Sequence, residues 1–327
     1  MNAADQAALF DARIIAAHGS HFLVQRVDGQ ELVAVSRARR RDLVVGDQVT
    51  ARITGDESAV IESRVSRRNQ ITRSDAWKSK TLAANVDQAA YVIAGDPPCS
   101  EELLLRVQLA ADLEHISFAV IANKTDLEHS HQLMRSRLDL LRSLGVTVFE
   151  LSALTEEGAG LDTLRHWLDG KTTLLLGQSG MGKSTLLNRL VPQAQMRTQT
   201  ISQKLNSGKH TTTFSRLFFV AAIDTAGAGA GTGEGAGART AAASPPTSLI
   251  DSPGFQQFGL EHVSAAQLRY GGLEFVTGDQ RCRFSNCRHL EEPGCAILDK
   301  VERGIIDATR YQHYRAIVSA SERAGAG

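Results

Sequence analysis

The segment GQSGMGKS, residues 177–184, has the residue types and spacing of a loop that binds nucleotide phosphates. An apolar run precedes it and TLLNRLV follows it, so the sequence predicts a strand, a glycine-rich loop and a helix in succession. Backbone N–H groups of such a loop surround phosphates at the positive end of the helix. We expect Lys183 to reach the β- and γ-phosphates and the Ser184 hydroxyl to bind magnesium. The predicted phosphate-binding residues are Gly177, Gln178, Ser179, Gly180, Met181, Gly182, Lys183, Ser184 and Thr185.

The segment NKTD, residues 123–126, could recognise a guanine base. The Asp126 carboxylate can accept hydrogen bonds from the ring N–H and the exocyclic amine of guanine, two donors that adenine does not offer together. We expect Asn123 to join this loop to the phosphate loop, and the stem of Lys124 to cover the base. LSALT, residues 151–155, could place a backbone N–H against the guanine carbonyl oxygen. The alternative is a solvated loop after a strand. The predicted base-binding residues are Asn123, Lys124, Asp126, Ser152 and Ala153.

Two segments could supply the aspartate that contacts magnesium through water: DTAG, which begins at Asp224, and DSPG, which begins at Asp251. We favour Asp251, because two strands must fit between the metal-binding threonine and this aspartate. FSRLFFVAAI leaves room for only one strand before Asp224, whereas SLI supplies a second strand before Asp251. The Gly/Ala-rich residues 225–247 would then enlarge the hairpin tip. The alternative is that DTAG is the true motif. Gly254 joins Asp251 in the predicted nucleotide site.

Three cysteines and a histidine follow the pattern C-x4-C-x-H-x5-C: Cys282, Cys287, His289 and Cys295. Three thiolates and one imidazole predict a closed, tetrahedral zinc site with a structural role. Such a site would stabilise a segment too small to fold on its own core. Clustered cysteines favour metal binding in a reducing compartment over disulfides. The alternative is a set of unconnected thiols, and Cys99 is interpreted as an ordinary thiol.

Two groups of arginines could contact the phosphate backbone of RNA, although such groups are often only solvated surface. They are Arg281, Arg283 and Arg288 beside the cysteines, and Arg37, Arg39, Arg40 and Arg41 near the N-terminus.

The bulk composition is that of a globular protein with more than one domain. The chain has 327 residues, of which 42% are hydrophobic, and its formal net charge is zero, so charge alone does not indicate a nucleic-acid binder. No apolar run is long enough to span a bilayer, and the N-terminus lacks the pattern of a signal peptide. We therefore expect a cytoplasmic protein.

The N-terminal part is predicted to be all β. Short strands are expected at residues 12–17, 21–27, 31–36, 47–53 and 59–65, separated by turn signals such as Asp28-Gly29. Five such strands favour a closed barrel of the oligonucleotide-binding (OB) kind. The alternatives are an SH3-like barrel or an appended sheet.

From about residue 70 the pattern becomes α/β. Apolar runs at residues 88–95, 117–123, 146–152 and 172–178 alternate with helical segments such as residues 100–114. This alternation predicts a parallel sheet that binds ligands at the carboxyl ends of its strands. A last helix is expected over residues 307–320, with Asp307 as its N-cap.

The motifs occur in the order NKTD, LSALT, GQSGMGKST, GKHTTT and DSPGFQQFGL, which is a circular permutation of the usual GTPase order. Together with the barrel before them and the cysteines after them, they resemble the ribosome small-subunit-dependent GTPase A family across nearly the whole chain. The Gly/Ala-rich insertion departs from that family. The resemblance implies an OB-fold domain at residues 1–68, a permuted P-loop GTPase domain at 69–263 and a mostly helical zinc domain at 264–327.

The same resemblance implies a GTPase that binds GTP and GDP, is stimulated by the small ribosomal subunit and acts late in its maturation. Its partners would be that subunit and 16S rRNA, with no membrane, and it would act as a monomer. An alternative is an RNA-binding assembly module for which GTP is only a conformational ligand.

For catalysis, the resemblance assigns the last magnesium ligand to Thr212, with Thr211 and Thr213 left open. Phe255 stands where many GTPases carry a glutamine that orients water, and a phenyl ring cannot do so. The resemblance therefore points to His210, for which the alternative is a solvated loop histidine. The implied catalytic residues are His210, Thr212 and Lys183, and the implied magnesium ligands are Ser184, Thr212 and Asp251.

Overall fold

The computed structural model describes residues 8–37, 42–74, 78–155, 159–192, 194–204, 215–220, 245–272 and 282–325. Within these ranges, no helix is both long enough and apolar enough to cross a membrane. The predictions made for Arg39–Arg41, His210–Thr213, Asp224 and Arg281 lie outside the described residues, as does most of the Gly/Ala-rich segment.

The N-terminal strands form a closed barrel, which confirms the OB-type prediction. They are β1 (Leu9–His18), β2 (His21–Arg26), β3 (Glu31–Ser36), β4 (Gln48–Gly55) and β5 (Ser58–Arg64). The strands pair in the order β1-β2-β3-β5-β4, and β1 closes the barrel by pairing with β4. Alternating residues point inward and form a separate apolar core that includes Ile14, Phe22, Leu32 and Ile61.

A two-stranded hairpin that the sequence did not reveal follows the barrel. It consists of β6 (Gln70–Ser74) and β7 (Ser79–Ala84) and forms its own sheet. The barrel loop at Gly46 packs on this hairpin so closely that a Cβ there would lie 2.0 Å from the Ala84 carbonyl oxygen. Its positive φ of 92° also requires glycine. The Arg67 guanidinium donates to both oxygens of the buried Asp47 carboxylate, at 2.7 and 2.8 Å.

The central sheet contains the four strands predicted to be parallel and the two strands expected before Asp251. They are β8 (Gln88–Ile93), β9 (Ser117–Ala122), β10 (Thr147–Glu150), β11 (Thr172–Gly177), β12 (Arg216–Phe219) and β13 (Ser248–Asp251). Their order is β10-β9-β8-β11-β13-β12, and only β12 runs antiparallel to its neighbour within this group. The connecting helices are α1 (Glu101–Leu113), α2 (Glu128–Ser143), α3 (Ala159–Leu168), α4 (Lys183–Leu190) and α5 (Ala194–Lys204). All residues of β8 and β11 are buried, as expected for the middle of a covered parallel sheet.

The C-terminal part is helical and lies against the central domain. It contains α6 (Ala265–Leu268), α7 (Ala296–Glu302) and α8 (Ala308–Gly325). The Asp307 carboxylate accepts from the Arg310 amide at 2.8 Å, which confirms the predicted N-cap. The buried Arg310 guanidinium donates to the buried Gln108 side chain of α1 at 2.7 Å. This contact joins α8 to the central domain.

Candidate nucleotide site and metal centre

The predicted phosphate loop lies between β11 and α4, as its sequence context required. Gly180 and Gly182 have φ angles of 86° and 83°, which side chains larger than hydrogen rarely adopt. A Cβ at Gly182 would lie 2.2 Å from the Asn123 side-chain nitrogen. Ser184 is exposed in the first turn of α4, so its hydroxyl is accessible to a ligand at this helix end.

Asn123 lies between the phosphate loop and both predicted base-binding loops. Its side-chain nitrogen donates to the Met181 carbonyl oxygen at 3.0 Å, and its side-chain oxygen accepts from the Ala153 N–H at 3.0 Å. The side chain is only 2% exposed. The expected connection by Asn123 is therefore present. Because the Ala153 N–H is bonded to Asn123, its contact with a guanine carbonyl stays a prediction.

The other residues of NKTD lie in the loop after β9, next to Asn123. Asp126 is exposed at the carboxyl end of β9, where its carboxylate can meet a base. Lys124 adopts a left-handed φ of 65°, and its ammonium donates to the Asp96 carbonyl oxygen at 2.8 Å. The Ser152 hydroxyl accepts from the Leu154 N–H at 3.2 Å, which shapes the loop after β10. The contact with Asp96 was not foreseen from the sequence.

Lys183 contacts the end of β13. Its buried ammonium donates to the Asp251 carboxylate and, at 2.5 Å, to the Ser252 carbonyl oxygen. Strands β11 and β13 are parallel neighbours with Leu175 opposite Asp251, so the sheet itself brings the phosphate loop and DSPG together. The hairpin of β12 and β13 confirms the second strand expected before Asp251, and this favours DSPG over DTAG.

Two residues near Asp251 have an environment that the sequence did not predict. Arg216 lies opposite Asp251 in the β12–β13 hairpin and is 3% exposed. Burial lowers the pKa of Arg216, and the Asp251 carboxylate opposes part of that shift. Phe255 is buried against Phe258, with ring centroids 5.4 Å apart. This packing agrees with the expectation that Phe255 does not orient water.

The four predicted metal ligands come together in the cysteine loop, residues 282–295. Each of the three cysteine Sγ atoms lies 3.5 Å from His289 Nδ1, and the sulfurs of Cys282 and Cys295 are 3.9 Å apart. All four ligand atoms lie within 4.8 Å of one another. Tetrahedral zinc, with Zn–S bonds of about 2.3 Å and a Zn–N bond of about 2.0–2.1 Å, requires S···S edges of roughly 3.8 Å and S···N edges of roughly 3.6 Å. The cluster can therefore hold a metal ion.

Hydrogen bonds between side chains and the backbone of residues 288–290 support the cysteine loop. The Tyr311 hydroxyl of α8 donates to the His289 carbonyl oxygen at 2.7 Å, and the Tyr314 hydroxyl donates to that of Arg288 at 3.2 Å. The Glu292 carboxylate accepts from the backbone N–H groups of Arg288 and Leu290 at 3.0 and 2.9 Å. Burial opposes the charged form of Glu292, but these bonds outweigh it and lower its pKa to about 2.

Two of the three described arginines of the predicted RNA-binding groups form ion pairs within the chain, and the guanidinium of the third, Arg283, lies 5.4 Å from the centroid of the Phe284 ring. Arg288 pairs with Glu322 at 2.6 Å, and Arg37 pairs with Glu62 at 2.8 Å. The Arg37 side chain is nevertheless 70% exposed and the Arg288 side chain 48% exposed. Both cations therefore stay accessible to phosphate.

The permuted order of the motifs, the parallel sheet and the contact of Asn123 with the phosphate loop together define a circularly permuted P-loop GTPase preceded by an OB-type barrel. Residues 64–232 match the family model described as RsgA GTPase. The chain belongs to this family and is therefore a GTP hydrolase.

Related proteins support the assignment over nearly the whole chain. Small ribosomal subunit biogenesis GTPase RsgA of Paraburkholderia phymatum is 44% identical over 93% of this chain and 90% of its own length. The protein of the same name from Ralstonia pickettii is 42% identical over 95% and 92%. YjeQ from Thermotoga maritima has a similar fold, with a TM-score of 0.68 at 24% identity over 96% of this chain and 99% of its own. The structure described as YloQ, a circularly permuted GTPase, has a TM-score of 0.63 at 22% identity over 97% and 96%.

Proposed function

We propose that this chain binds the small ribosomal subunit and hydrolyses GTP, in a subunit-stimulated manner, during late maturation of that subunit. The name shared by its relatives is small ribosomal subunit biogenesis GTPase. The observation that carries the proposal is the contact of Asn123 with Met181 and Ala153, because it joins the proposed base-binding loops to the phosphate loop although their motifs occur in permuted order.

In this proposal the nucleotide lies along the carboxyl ends of β9, β10 and β11. Asp126 recognises guanine, the glycine-rich loop surrounds the phosphates, and Lys183 neutralises phosphate charge. Lys183 must then exchange part of its contact with Asp251 for the phosphates. Such an exchange would make the end of β13 sensitive to the nucleotide.

Magnesium accompanies the nucleotide in this family of enzymes, and the residues here suit it. Ser184, in the first turn of the helix that follows β11, and Asp251, at the end of the adjacent strand β13, offer the oxygen ligands that this hard cation prefers. The ion would neutralise charge on the phosphates during transfer to water. We assign Thr212 as the further ligand, with Thr211 and Thr213 as alternatives, and His210 as the residue that positions water.

We also propose one structural zinc ion, held by Cys282, Cys287, His289 and Cys295. Four edges of the cluster, three of 3.5 Å and one of 3.9 Å, are close to those of tetrahedral zinc, and four protein ligands would leave no position for substrate. The zinc module and the barrel would contact 16S rRNA through their arginines, and the chain would act as a cytoplasmic monomer. We place the domain limits at residues 1–68, 69–263 and 264–327.

Co-sedimentation with purified small subunits tests subunit binding. We expect binding with a non-hydrolysable GTP analogue and weaker binding with GDP. Charge reversal of Arg39, Arg40 and Arg41 together should reduce binding at physiological salt, since each lost cation removes a phosphate contact. The matched control reverses Arg165, a surface arginine in an ion pair with Asp162 on α3 of the central domain. Equal binding of both variants would show that the first group is only solvated surface.

A further inference from the structure

The hydroxyl of Ser130, in the first turn of α2, accepts two consecutive backbone hydrogen bonds from another loop. The N–H groups of Gly95 and Asp96 both donate to Ser130 Oγ at 3.1 Å. Ser130 is 2% exposed, so water is not available to replace it as the acceptor. The hydroxyl therefore fixes the backbone that follows β8.

The contact is also too close for any residue larger than glycine at position 95. A Cβ at Gly95 would lie 1.9 Å from the Ser130 carbonyl oxygen and 2.9 Å from its hydroxyl oxygen. The start of α2 and the end of β8 are thus packed backbone to backbone. This packing leaves the loop little freedom to find another acceptor.

The loop that Ser130 fixes contacts both halves of the nucleotide site. The Asp96 carbonyl oxygen accepts from the Lys124 ammonium at 2.8 Å. The next residue, Pro97, lies against the phosphate loop, where a Cβ at Gly180 would be 3.0 Å from its ring. A displacement at Asp96 would therefore reach Lys124 directly and Gly180 through Pro97.

We infer that Ser130 is a positioning residue for the guanine nucleotide, acting through Asp96 on Lys124. It lies outside NKTD and does not need to touch the ligand. Its hydroxyl holds the Asp96 carbonyl where the Lys124 ammonium binds, and so fixes the lysine stem beside the base. The inference rests on the proposed assignment of Lys124 to the nucleotide site.

Four variants test this inference by their affinity for a fluorescent GDP derivative: Ser130→Ala, Lys124→Met, the double variant and Ser321→Ala. Loss of two hydrogen bonds predicts that Ser130→Ala binds GDP about tenfold more weakly. The double variant should bind no more weakly than Lys124→Met alone, because both changes remove the same interaction. Ser321→Ala removes a buried hydroxyl of α8 that donates to the Val263 carbonyl oxygen, outside the nucleotide site, and should bind GDP like the parent chain.

Turnover and a matched pair of variants separate positioning from general destabilisation. Ser130→Ala should raise the KM for GTP while kcat at saturating GTP is unchanged. Ser130→Thr keeps the acceptor oxygen. Valine has the shape of threonine but carries a methyl group in place of the hydroxyl, so only the threonine variant should retain GDP affinity.

Equal affinity of the threonine and valine variants, or additive effects in the double variant, would overturn the inference. A different failure identifies the proposed function as the error. If Lys124→Ala, which removes the whole stem, binds GDP normally, the assignment of Lys124 to the nucleotide site is wrong, and the inference about Ser130 fails with it.

Discussion

The side-chain amide of Asn123 donates to the carbonyl oxygen of Met181 at 3.0 Å, across 58 positions of sequence. In the chain, the guanine motif precedes the phosphate loop, but in the sheet both follow strands that end on the same edge. Permutation moves the chain ends and leaves this edge intact, because β9, β8 and β11 keep their parallel order. The hydrogen bond is the direct sign that the two motifs form one site.

Replacement of Asn123 by alanine should weaken both the fold and nucleotide binding. The change leaves the buried Met181 carbonyl and Ala153 N–H without this partner, which should lower the free energy of unfolding by roughly 2–4 kcal/mol. Affinity for GDP should fall at least about tenfold. Denaturant unfolding and GDP titration measure the two effects.

Asn69→Ala is the matched control for this prediction. The Asn69 side chain makes two similar bonds, donating to the Val86 carbonyl at 2.8 Å and accepting from the Val86 N–H at 2.9 Å. It lies at the hairpin of β6 and β7, away from the proposed base site. Stability should fall in both variants and GDP affinity only in Asn123→Ala; a parallel loss of affinity in both would mean that Asn123 acts only through stability.

Asp126→Asn should change base selectivity from guanine to xanthine. The carboxylate accepts two hydrogen bonds from guanine, whereas an amide can donate one to the carbonyl that xanthine carries at the position of the exocyclic amine. We expect GTP affinity to fall about a hundredfold or more and xanthosine triphosphate to bind better than GTP. Competition titrations with both nucleotides give the ratio; unchanged selectivity would place the base elsewhere.

Removal of one cysteine ligand should release the metal and loosen the cysteine loop. Cys287→Ser should reduce zinc content from one ion per chain toward none and lower the melting temperature, because metal binding contributes to folding of a small segment. The matched control is Cys99→Ser, a buried thiol outside the cluster. Elemental analysis of the purified proteins measures the zinc; full zinc content in Cys287→Ser would contradict the proposed ligand set.

Glu292 should make the cysteine loop less stable at acid pH. Its folded pKa of about 2 lies below the unfolded value of 4.5, so its contribution is complete above about pH 4.5 and is lost as pH falls toward 2. Glu292→Gln should lower the free energy of unfolding at pH 7 by roughly 1–2 kcal/mol, since the partly solvated carboxylate contributes less than its full pKa shift implies.

The difference in unfolding free energy between the parent chain and Glu292→Gln should shrink as pH falls below about 4.5. Glu291→Gln is the control, because that side chain is 86% exposed and should change stability little. A difference that is constant with pH would show that the Glu292 charge is not responsible.

The sequence predicted features whose residues are close together in the chain. The phosphate loop, NKTD and the cysteine loop each fit within about fifteen residues, and short segments separated by turn signals predicted the barrel strands. The strand expected before Asp251 is present as β13, because that expectation depended only on counting strands, whereas the choice of Asp251 over Asp224 stays a prediction. Short-range patterns were thus sufficient for these elements.

Features that depend on register between distant elements were not predictable. Arg216 lies opposite Asp251 only because the hairpin pairs in that register, and Ser130 reaches Asp96 only because the start of α2 contacts the loop after β8. The hairpin of β6 and β7 was missed because its short, polar strands lack a clear alternation. The sequence did not single out Glu292, whose role depends on backbone donors that the fold places around its carboxylate.

Stimulation of GTP hydrolysis by purified small ribosomal subunits tests the proposed function most directly. We predict that added small subunits raise turnover by orders of magnitude and that large subunits do not. Lys183→Ala should abolish the stimulated rate, and His210→Ala should lower it while GTP affinity stays nearly unchanged. A rate that small subunits leave unchanged, with only nucleotide affinity altered, would contradict the account and indicate that GTP is a conformational ligand.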